Sequence, residues 1–414
     1  MKLTFDNYLL FFVLLIPLAL TTGPFLPDLF LSIAAIIFII SLFYKSKIYY
    51  LKNNFVYFSI LFFLCLIISS IFSEFPLFSL KSSLVYFRFF IFVLVVWYLI
   101  DNTKKFIFLF FISLCLAYIL MIISSIYQIY YGENFSGILN PSSRLLLLFS
   151  DEAVLGHLIA RLFPLLIGLT ILLYDNSFLR NFLIFFTFVI SDTIIFLSGE
   201  RTALMIMFLG SFFMLIFMKQ LKVLRIVSII VSIVVIALIA NFNVSTKERN
   251  IDHTIKQLGI GTQKLNLFSP EHEILYNTGV KIFLNNPILG IGPNNYRNVC
   301  DNEEYANYVK GLNFACQTHP HNTYIQLFAE TGVIGGIFIF IIIIYFLIKI
   351  KSIIFLKPDK KDQNKIDFEI CIIACIFCSL WPLMPTLNIF NNWINVIYYL
   401  PVGFYLQIIH KRFN

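Results

Sequence analysis

Apolar runs of about 20 residues recur along the whole chain, with short polar stretches between them. The runs cover 5–22, 25–44, 55–72, 78–100, 105–130, 153–173, 178–198, 202–218, 223–241, 323–348, 368–387 and 393–409. A helix needs about 20 apolar residues to cross the hydrocarbon core of a bilayer. In lipid, a helix also satisfies its own backbone polar groups. The pattern therefore predicts an all-α polytopic membrane protein with about twelve transmembrane helices.

One long polar stretch interrupts this pattern, and it divides the chain into three parts. We predict transmembrane helices 1–9 over residues 1–241, a large loop domain over 242–322, and helices 10–12 over 323–414. The first apolar run has no small-residue cleavage site after it. We therefore interpret it as the first transmembrane helix and not as a signal peptide.

Composition agrees with a lipid environment. Of the 414 residues, 59% are hydrophobic and only 13% are charged. Soluble globular proteins are typically about 45–50% apolar and about 25% charged. A water-soluble protein is thus excluded, and we expect membrane lipids as the surroundings and no nucleic-acid partner.

Basic residues concentrate in alternate short loops and near both ends of the chain. They include Lys45, Lys47, Lys52, Lys104, Lys105, Arg180, Lys219, Lys222, Arg225, Lys349, Lys351, Lys357, Lys360, Lys361 and Lys365. Short loops rich in Lys and Arg stay in the cytoplasm. This rule predicts that both termini are cytoplasmic and that residues 242–322 lie on the opposite, outer face.

Five basic residues depart from this rule, because the predicted topology places them at the outer face or in the outer part of the membrane. They are Lys81, Arg88, Arg144, Arg161 and Arg201. Ionisable groups within a span cost about 2.5–3.5 kcal/mol or more at the centre, so they are candidates for a functional role. Arginine pairs bidentately with phosphate and stays charged. The group predicts a site for an anionic, diphosphate-like ligand.

Helical spacing links some of these residues. Lys81 and Arg88 are seven residues apart, and Arg161 follows His157 by four, so each pair shares a helix face. The alternative is that each arginine pairs locally. In that case Asp151 or Glu152 would neutralise Arg144 or Arg161, and Glu200 would neutralise Arg201.

Two stretches of the large loop stand out. Residues 285–296 (NNPILGIGPNNY) are rich in turn-forming residues. The second stretch contains His319 and His321 and leads into the tenth span. His321 would lie at the membrane surface, and histidine can accept a proton near neutral pH. For His319 we favour a structural role.

A metal site is the alternative for these histidines. Zn²⁺ takes three or four protein ligands, whereas His253 and His272 show no ligand spacing relative to His319 and His321. We therefore expect no metal and no cofactor.

The cysteines divide by compartment. Cys371, Cys375 and Cys378 follow helical spacing within a span, which favours buried thiols. Cys300 and Cys316 share the predicted outer loop, where oxidation is permitted. The sequence does not decide between a disulfide that joins them and two free thiols.

At these motifs the sequence resembles the O-antigen ligase superfamily, which also contains O-antigen polymerases. The resemblance covers about 137–205 and 276–336. It is carried by Asn286-Pro287-x-x-Gly290-x-Gly292-Pro293, by His321 followed after ten residues by Gly332, by Ser198-Gly199-Glu200-Arg201-Thr202-Ala203, and by Arg144 with the segment 149–156 (FSDEAVLG).

The resemblance implies a metal-independent glycosyltransferase with a GT-C-like fold in the bacterial inner membrane, its active site facing the periplasm. Its donor would be a glycan on undecaprenyl diphosphate. A ligase would pass the glycan to lipid A–core in lipopolysaccharide biosynthesis, and a polymerase would pass it to another lipid-linked glycan.

The residues support one mechanism within this family. His321, Arg201 and Arg144 would be catalytic, His321 as general base and the arginines as stabilisers of the leaving diphosphate. Arg161, Arg88, His157 and Lys81 would bind the lipid-linked substrate. A single displacement would invert the anomeric centre.

A transporter for lipid-linked sugars is a further alternative, but transporters place their charges near the midplane and often repeat their halves.

Overall fold

The computed structural model describes residues 5–44, 47–139, 144–218, 221–240, 268–305, 316–354 and 360–413. The helices of the first 240 residues are α1 (Phe5–Leu20), α2 (Phe25–Tyr44), α3 (Asn54–Ile71), α4 (Pro76–Leu84), α5 (Phe87–Asn102), α6 (Phe106–Tyr131), α7 (Leu155–Leu173), α8 (Ser177–Leu197), α9 (Arg201–Phe217) and α10 (Lys222–Ala240). A short 3₁₀ helix, Lys47–Leu51, precedes α3.

The remaining helices are α11 (Pro270–Asn285), α12 (Tyr296–Val299), α13 (Thr323–Ile354), α14 (Lys360–Leu380) and α15 (Asn392–Phe413). The predicted start of the loop domain at residue 242 lies outside the described residues, as does His253. The three-part division of the chain stays a prediction.

In the described part of the chain, eight helices are long and apolar enough to cross a membrane, and α1 and α9 are shorter apolar helices. Each of the twelve predicted spans falls on a helix, with α4 and α5 sharing one span and α14 and α15 providing the last two. The all-α polytopic membrane fold is confirmed.

The fourth predicted span is not one uninterrupted helix, because α4 and α5 are separated at Val85 and Tyr86. Serine hydroxyls tie α4 to the end of α3: Ser79 donates to Ser70 at 2.9 Å. The Arg88 guanidinium donates to the Val85 carbonyl oxygen at 2.7 Å and satisfies that backbone acceptor at the break.

The eleventh predicted span also needs correction, since α14 ends at Leu380 and not at 387. Pro382 and Pro385 follow. Proline lacks the helical N–H donor and disfavours helical geometry in the residue before it. The Asn322 amide donates to the Pro382 carbonyl oxygen at 2.9 Å, which holds the connection against the start of α13.

Helix α7 lies at the centre of the bundle. It packs against α6, α8, α9 and α14, and residues 158–171 are buried without interruption. Because α7 is enclosed by protein, its polar side chains face other side chains and not lipid. His157 and Arg161 lie in its first two turns.

Segments predicted to lie near the cytoplasmic face contact each other in two places. The Arg180 guanidinium, in the first turn of α8, donates to the Asn364 side chain at 3.2 Å. His410 near the end of α15 stacks on Trp97 in α5, with ring centroids 4.1 Å apart. Each contact joins residues that the charge pattern places on the same side, and the topology and the side of the membrane stay predictions.

Arg225 does not belong to a loop, although the charge pattern counted it with the cytoplasmic cations. It lies in α10, fully buried, and pairs bidentately with Asp192 of α8 at 2.5 and 2.9 Å. A paired and hydrogen-bonded charge tolerates burial, so the pair joins two spans.

The turn-rich segment of the loop has a structural role, because it docks on a break in α13 at Gly332. The Gly332 backbone has φ 62° and ψ −163°, outside the helical range. The Val333 amide donates to the Pro287 carbonyl oxygen at 2.8 Å. A Cβ on Gly332 would come within 2.2 Å of the Ile288 carbonyl oxygen, so the two backbones require glycine there.

Cys300 and Cys316 form a disulfide with their Cα atoms 5.2 Å apart. Cys371, Cys375 and Cys378 are buried free thiols, as their spacing predicted.

Candidate active site

The site begins at the N-terminus of α7, which is capped by a carboxylate from a distant turn. Glu200 accepts hydrogen bonds from the amides of Gly156 at 2.6 Å and His157 at 3.2 Å. The first amides of a helix lack partners and the helix dipole favours negative charge there. A Cβ on Gly156 would meet the Ser198 Oγ at 2.4 Å, so glycine permits the close contact.

Two arginine-bearing segments therefore meet at this point. The Leu145 amide, next to Arg144, donates to the Ser198 carbonyl oxygen at 3.2 Å. Burial raises the pKa of the Glu200 carboxyl to about 8, while the two amides and Arg144 oppose that rise. Arg144 also lies close enough to Arg201 for their charges to interact.

Arg161 is held by the histidine one turn before it. Its guanidinium donates to His157 Nδ1 at 2.7 Å, which places the imidazole proton on Nε2, 3.8 Å from Glu200. The Nε atoms of Arg144 and Arg161 are buried and have no hydrogen-bond partner in the described residues. Buried donors without partners are uncommon in folded proteins, so each of these two arginines keeps one N–H that no described residue satisfies.

In the described residues, neither Asp151 nor Glu152 neutralises Arg144 or Arg161. Both acidic side chains are exposed. No ion pair joins either of them to Arg144 or Arg161 in the described part of the chain. Glu200 is the acidic residue that interacts with Arg144.

The histidine motif lies at the start of α13. His321 has φ 54°, a left-handed conformation that only a few per cent of non-glycine residues adopt. The Thr386 amide donates to the His321 carbonyl oxygen at 2.8 Å and fixes this turn. Such conformations persist where the surroundings enforce them and often occur at functional sites.

His319 is hydrogen-bonded through both ring nitrogens. Its Nε2 donates to the Thr386 carbonyl oxygen at 3.2 Å, and its Nδ1 is 2.9 Å from the Thr318 hydroxyl. Burial lowers the pKa of His319 to about 3. These contacts describe a neutral, fixed ring, which fits the structural role expected for it.

His321 is only half-buried and its ring packs between two other imidazoles. The ring centroid lies 4.0 Å from that of His319 and 5.7 Å from that of His272. Burial, and then the charge of His272, lower the pKa of His321 to about 4. At neutral pH the ring is therefore unprotonated and able to accept a proton.

The N-terminus of α11 connects the histidines with the arginines. Arg201 interacts electrostatically with Glu271, and its charge also acts on His272. His272 Nδ1 is 2.7 Å from the hydroxyl of Ser269, the residue that caps α11. Contacts thus run from Arg161 through His157 to Glu200, and from His272 to His321. The charge of Arg201, which follows Glu200, connects the two groups.

Sequence reasoning missed two members of these groups. His272 was set aside because its spacing fits no metal site, and Glu200 was considered only as a local partner of Arg201. Both contact residues that lie 43 or more positions away in the sequence. One sequence by itself does not reveal such contacts. Among the described residues, no group of three or more His, Cys, Asp and Glu side chains is arranged to hold a metal ion.

Arg88 and Lys81 lie along a different cavity. Arg88 donates to Asp28 at 2.7 and 2.9 Å and to Asn392 at 2.8 Å. Together with Lys81, these residues line a cavity of about 730 Å³. The structure therefore does not unite all five outer cations in one site, and for Arg88 the local pairing is observed.

These helices and this site define a multi-pass membrane protein with cations and histidines gathered at one end of its bundle. Residues 184–340 match the family model for O-antigen ligase. The match supports the O-antigen ligase and polymerase superfamily, whose members are glycosyltransferase-like enzymes, and it confirms the resemblance found in the motifs. It includes Arg201, His272 and His321, while Arg144, His157 and Arg161 precede it. No curated protein matches the chain.

Proposed function

We propose that this protein transfers a glycan from undecaprenyl diphosphate to lipid A–core, as an O-antigen ligase. The observation that carries the proposal is the connected series of three arginines and three histidines around the N-terminus of α7 and the start of α13. The arginines of the series suit a diphosphate, and His321 suits an acceptor hydroxyl.

The arginines would stabilise the leaving group. As the bond between the anomeric carbon and the diphosphate oxygen breaks, its electron pair passes to the diphosphate. Arg144, Arg161 and Arg201 offer fixed positive charge for this developing negative charge, with two buried Nε donors still unpaired in the described structure. Preorganised charge in a partly desolvated site is effective for such stabilisation.

His321 would remove the proton. The acceptor hydroxyl oxygen attacks the anomeric carbon from the side opposite the diphosphate, and its proton passes to the imidazole. The donor's own negative charge would raise the pKa of His321 above about 4, because a nearby anion favours the imidazolium. Donor binding would thus make His321 a stronger base at the moment of transfer.

Purified protein in lipid nanodiscs tests this function. It should consume an undecaprenyl-diphosphate-linked glycan and form glycosylated lipid A–core only when lipid A–core is present. Longer lipid-linked glycans formed without lipid A–core would identify a polymerase instead. Movement of the donor across the bilayer with no new glycosidic bond would identify a transporter and would overturn the proposal.

A further inference from the structure

The cavity that contains Lys81 and Arg88 combines charged, amide and apolar side chains in its lining. It lies between α2, α4, α5 and the residues at the start of α15. Its volume of about 730 Å³ is within the range of about 300–1,000 Å³ typical of small-molecule sites. Asn391 and Asn392 add amide groups at the polar end, next to Arg88.

Polarity falls along the wall that α2 provides. Its lining residues are Asp28, Ser32, Ala35, Ile36 and Ile39, which recur at helical spacing on one face. Eleven residues of helix rise about 16 Å. Along α2, a ligand in this cavity therefore meets a carboxylate paired with Arg88 at one end and only apolar side chains at the other, which suits a lipid with an anionic head group.

The charges at the polar end are unequal. Arg88 is paired with Asp28, so these two groups nearly cancel. The Lys81 side chain is exposed and has no hydrogen-bond or ion-pair partner among the residues that the structure describes. One uncompensated cation suits a phosphate that is held and does not react. A leaving diphosphate is better matched by the three arginines of the active site.

A short segment joins this cavity to the active site. Thr386 donates to His321, and Asn391, five residues later, lines the cavity. Five residues of chain span at most about 18 Å. The glycan of a lipid anchored in the cavity therefore has only a short distance to cover to reach the imidazole.

We propose that this cavity anchors the acceptor lipid, holding its phosphate at Lys81 and the first part of its hydrocarbon chain along α2. The proposal rests on the proposed function, since both acceptors considered there combine phosphate with hydrocarbon chains. The donor would occupy the arginine site, so each substrate would have its own phosphate contact.

Binding can be measured without activity. The probe is phosphatidic acid, a lipid phosphate monoester, and retained lipid is counted by native mass spectrometry of the full chain. Lys81→Glu and Ile36→Trp should each weaken retention about tenfold or more, because charge-assisted contacts and apolar burial are lost. Lys104→Glu and Ile40→Trp, which change an exposed lysine and an exposed isoleucine outside the cavity, should bind as the wild type does.

Inorganic phosphate should not displace the retained lipid. Displacement by inorganic phosphate would show that the site recognises a free anion, and equal retention by all variants would show that the cavity binds no lipid phosphate. Either result overturns the proposal while leaving the proposed function untouched.

Kinetics then assign the ligand as acceptor. In the transfer assay, Lys81→Glu and Ile36→Trp should raise the KM for the acceptor lipid about tenfold, with the KM for the donor unchanged. A raised donor KM with an unchanged acceptor KM would assign the cavity to the donor and would contradict the proposal. Absence of transfer by the wild type would instead count against the proposed function, and the binding result would still stand.

Discussion

Among single residues, Arg201 connects the arginine group with the N-terminus of α11. It begins α9, directly after the Glu200 cap, and interacts with Arg144 and Glu271. Loss of one preorganised donor typically costs about 2.7–4 kcal/mol of transition-state stabilisation. Arg201→Ala should therefore lower the transfer rate about 10²- to 10³-fold, measured at equal amounts of folded protein.

Arg201→Lys should recover little of this rate, because lysine keeps the charge and loses the bidentate geometry. Alanine and lysine variants that both act near the wild-type rate would remove Arg201 from the catalytic group.

His321 predicts a particular pH dependence. In the free protein the pKa of this histidine is lowered to about 4, so the basic form is lost only as the pH falls toward 4. The ratio kcat/KM for the donor should fall as the pH drops below about 5. The acid limb of kcat should lie at higher pH, because bound donor phosphates raise the pKa. His319→Ala should keep both limbs, and coinciding limbs in the wild type would contradict the role of the donor charge.

The sequence indicated candidate residues one by one and did not indicate their connections. Arg144, Arg161 and Arg201 were selected because cations are costly where the predicted topology places them. His321 was selected because it would lie at the membrane surface and histidine can accept a proton near neutral pH. The proximity of His272 to His321 could not be selected in the same way. It depends on how α11 packs against α13, and nothing in the local sequence encodes that contact.

At the scale of elements, the break in α13 predicts a large effect of one methyl group. Gly332→Ala would place a Cβ within 2.2 Å of the Ile288 carbonyl oxygen, which cannot yield as a flexible side chain can. We expect loss of the docked turn segment, a lowered melting temperature and loss of transfer.

Gly132→Ala is the matched control for that variant. Gly132 also has positive φ, at 77°, but an added Cβ would meet nothing within 4 Å. Its cost should be limited to backbone strain of about 1–2 kcal/mol. Equal melting temperatures for the two variants, measured by thermal unfolding in detergent, would show that the contact between the two backbones is not required.

The elements themselves were largely predictable, because lipid imposes helices on long apolar runs. All twelve runs coincide with helices. The division between α4 and α5 was not predictable, because no proline or glycine marks Val85 and Tyr86. The contact that holds α4 against α3 joins serines that lie nine residues apart. The early end of α14 is indicated in the sequence by the prolines at 382 and 385. The predicted span ran on to 387 because it followed hydrophobicity alone.

At the scale of the whole molecule, the charge pattern predicts which end faces the cytoplasm. Leu284→Cys places a thiol on an exposed position of α11, and Lys365→Cys places one on an exposed position near the start of α14. In intact cells, a membrane-impermeant maleimide should label the first and not the second. The parent protein without added cysteine gives the background, and reversed labelling would place the candidate active site in the cytoplasm.

The role of His321 as the general base is tested by the transfer rate of His321→Ala beside His319→Ala and the wild type, with and without chelator. A general base contributes about 10²–10⁴-fold. His321→Ala should lose that factor while donor binding and the melting temperature are retained.

His319→Ala should lose less rate and more stability, because both of its ring nitrogens are hydrogen-bonded. Chelator should change none of the rates. Full activity of His321→Ala would contradict its role as the base, and inactivation of the wild type by chelator would contradict the metal-free mechanism.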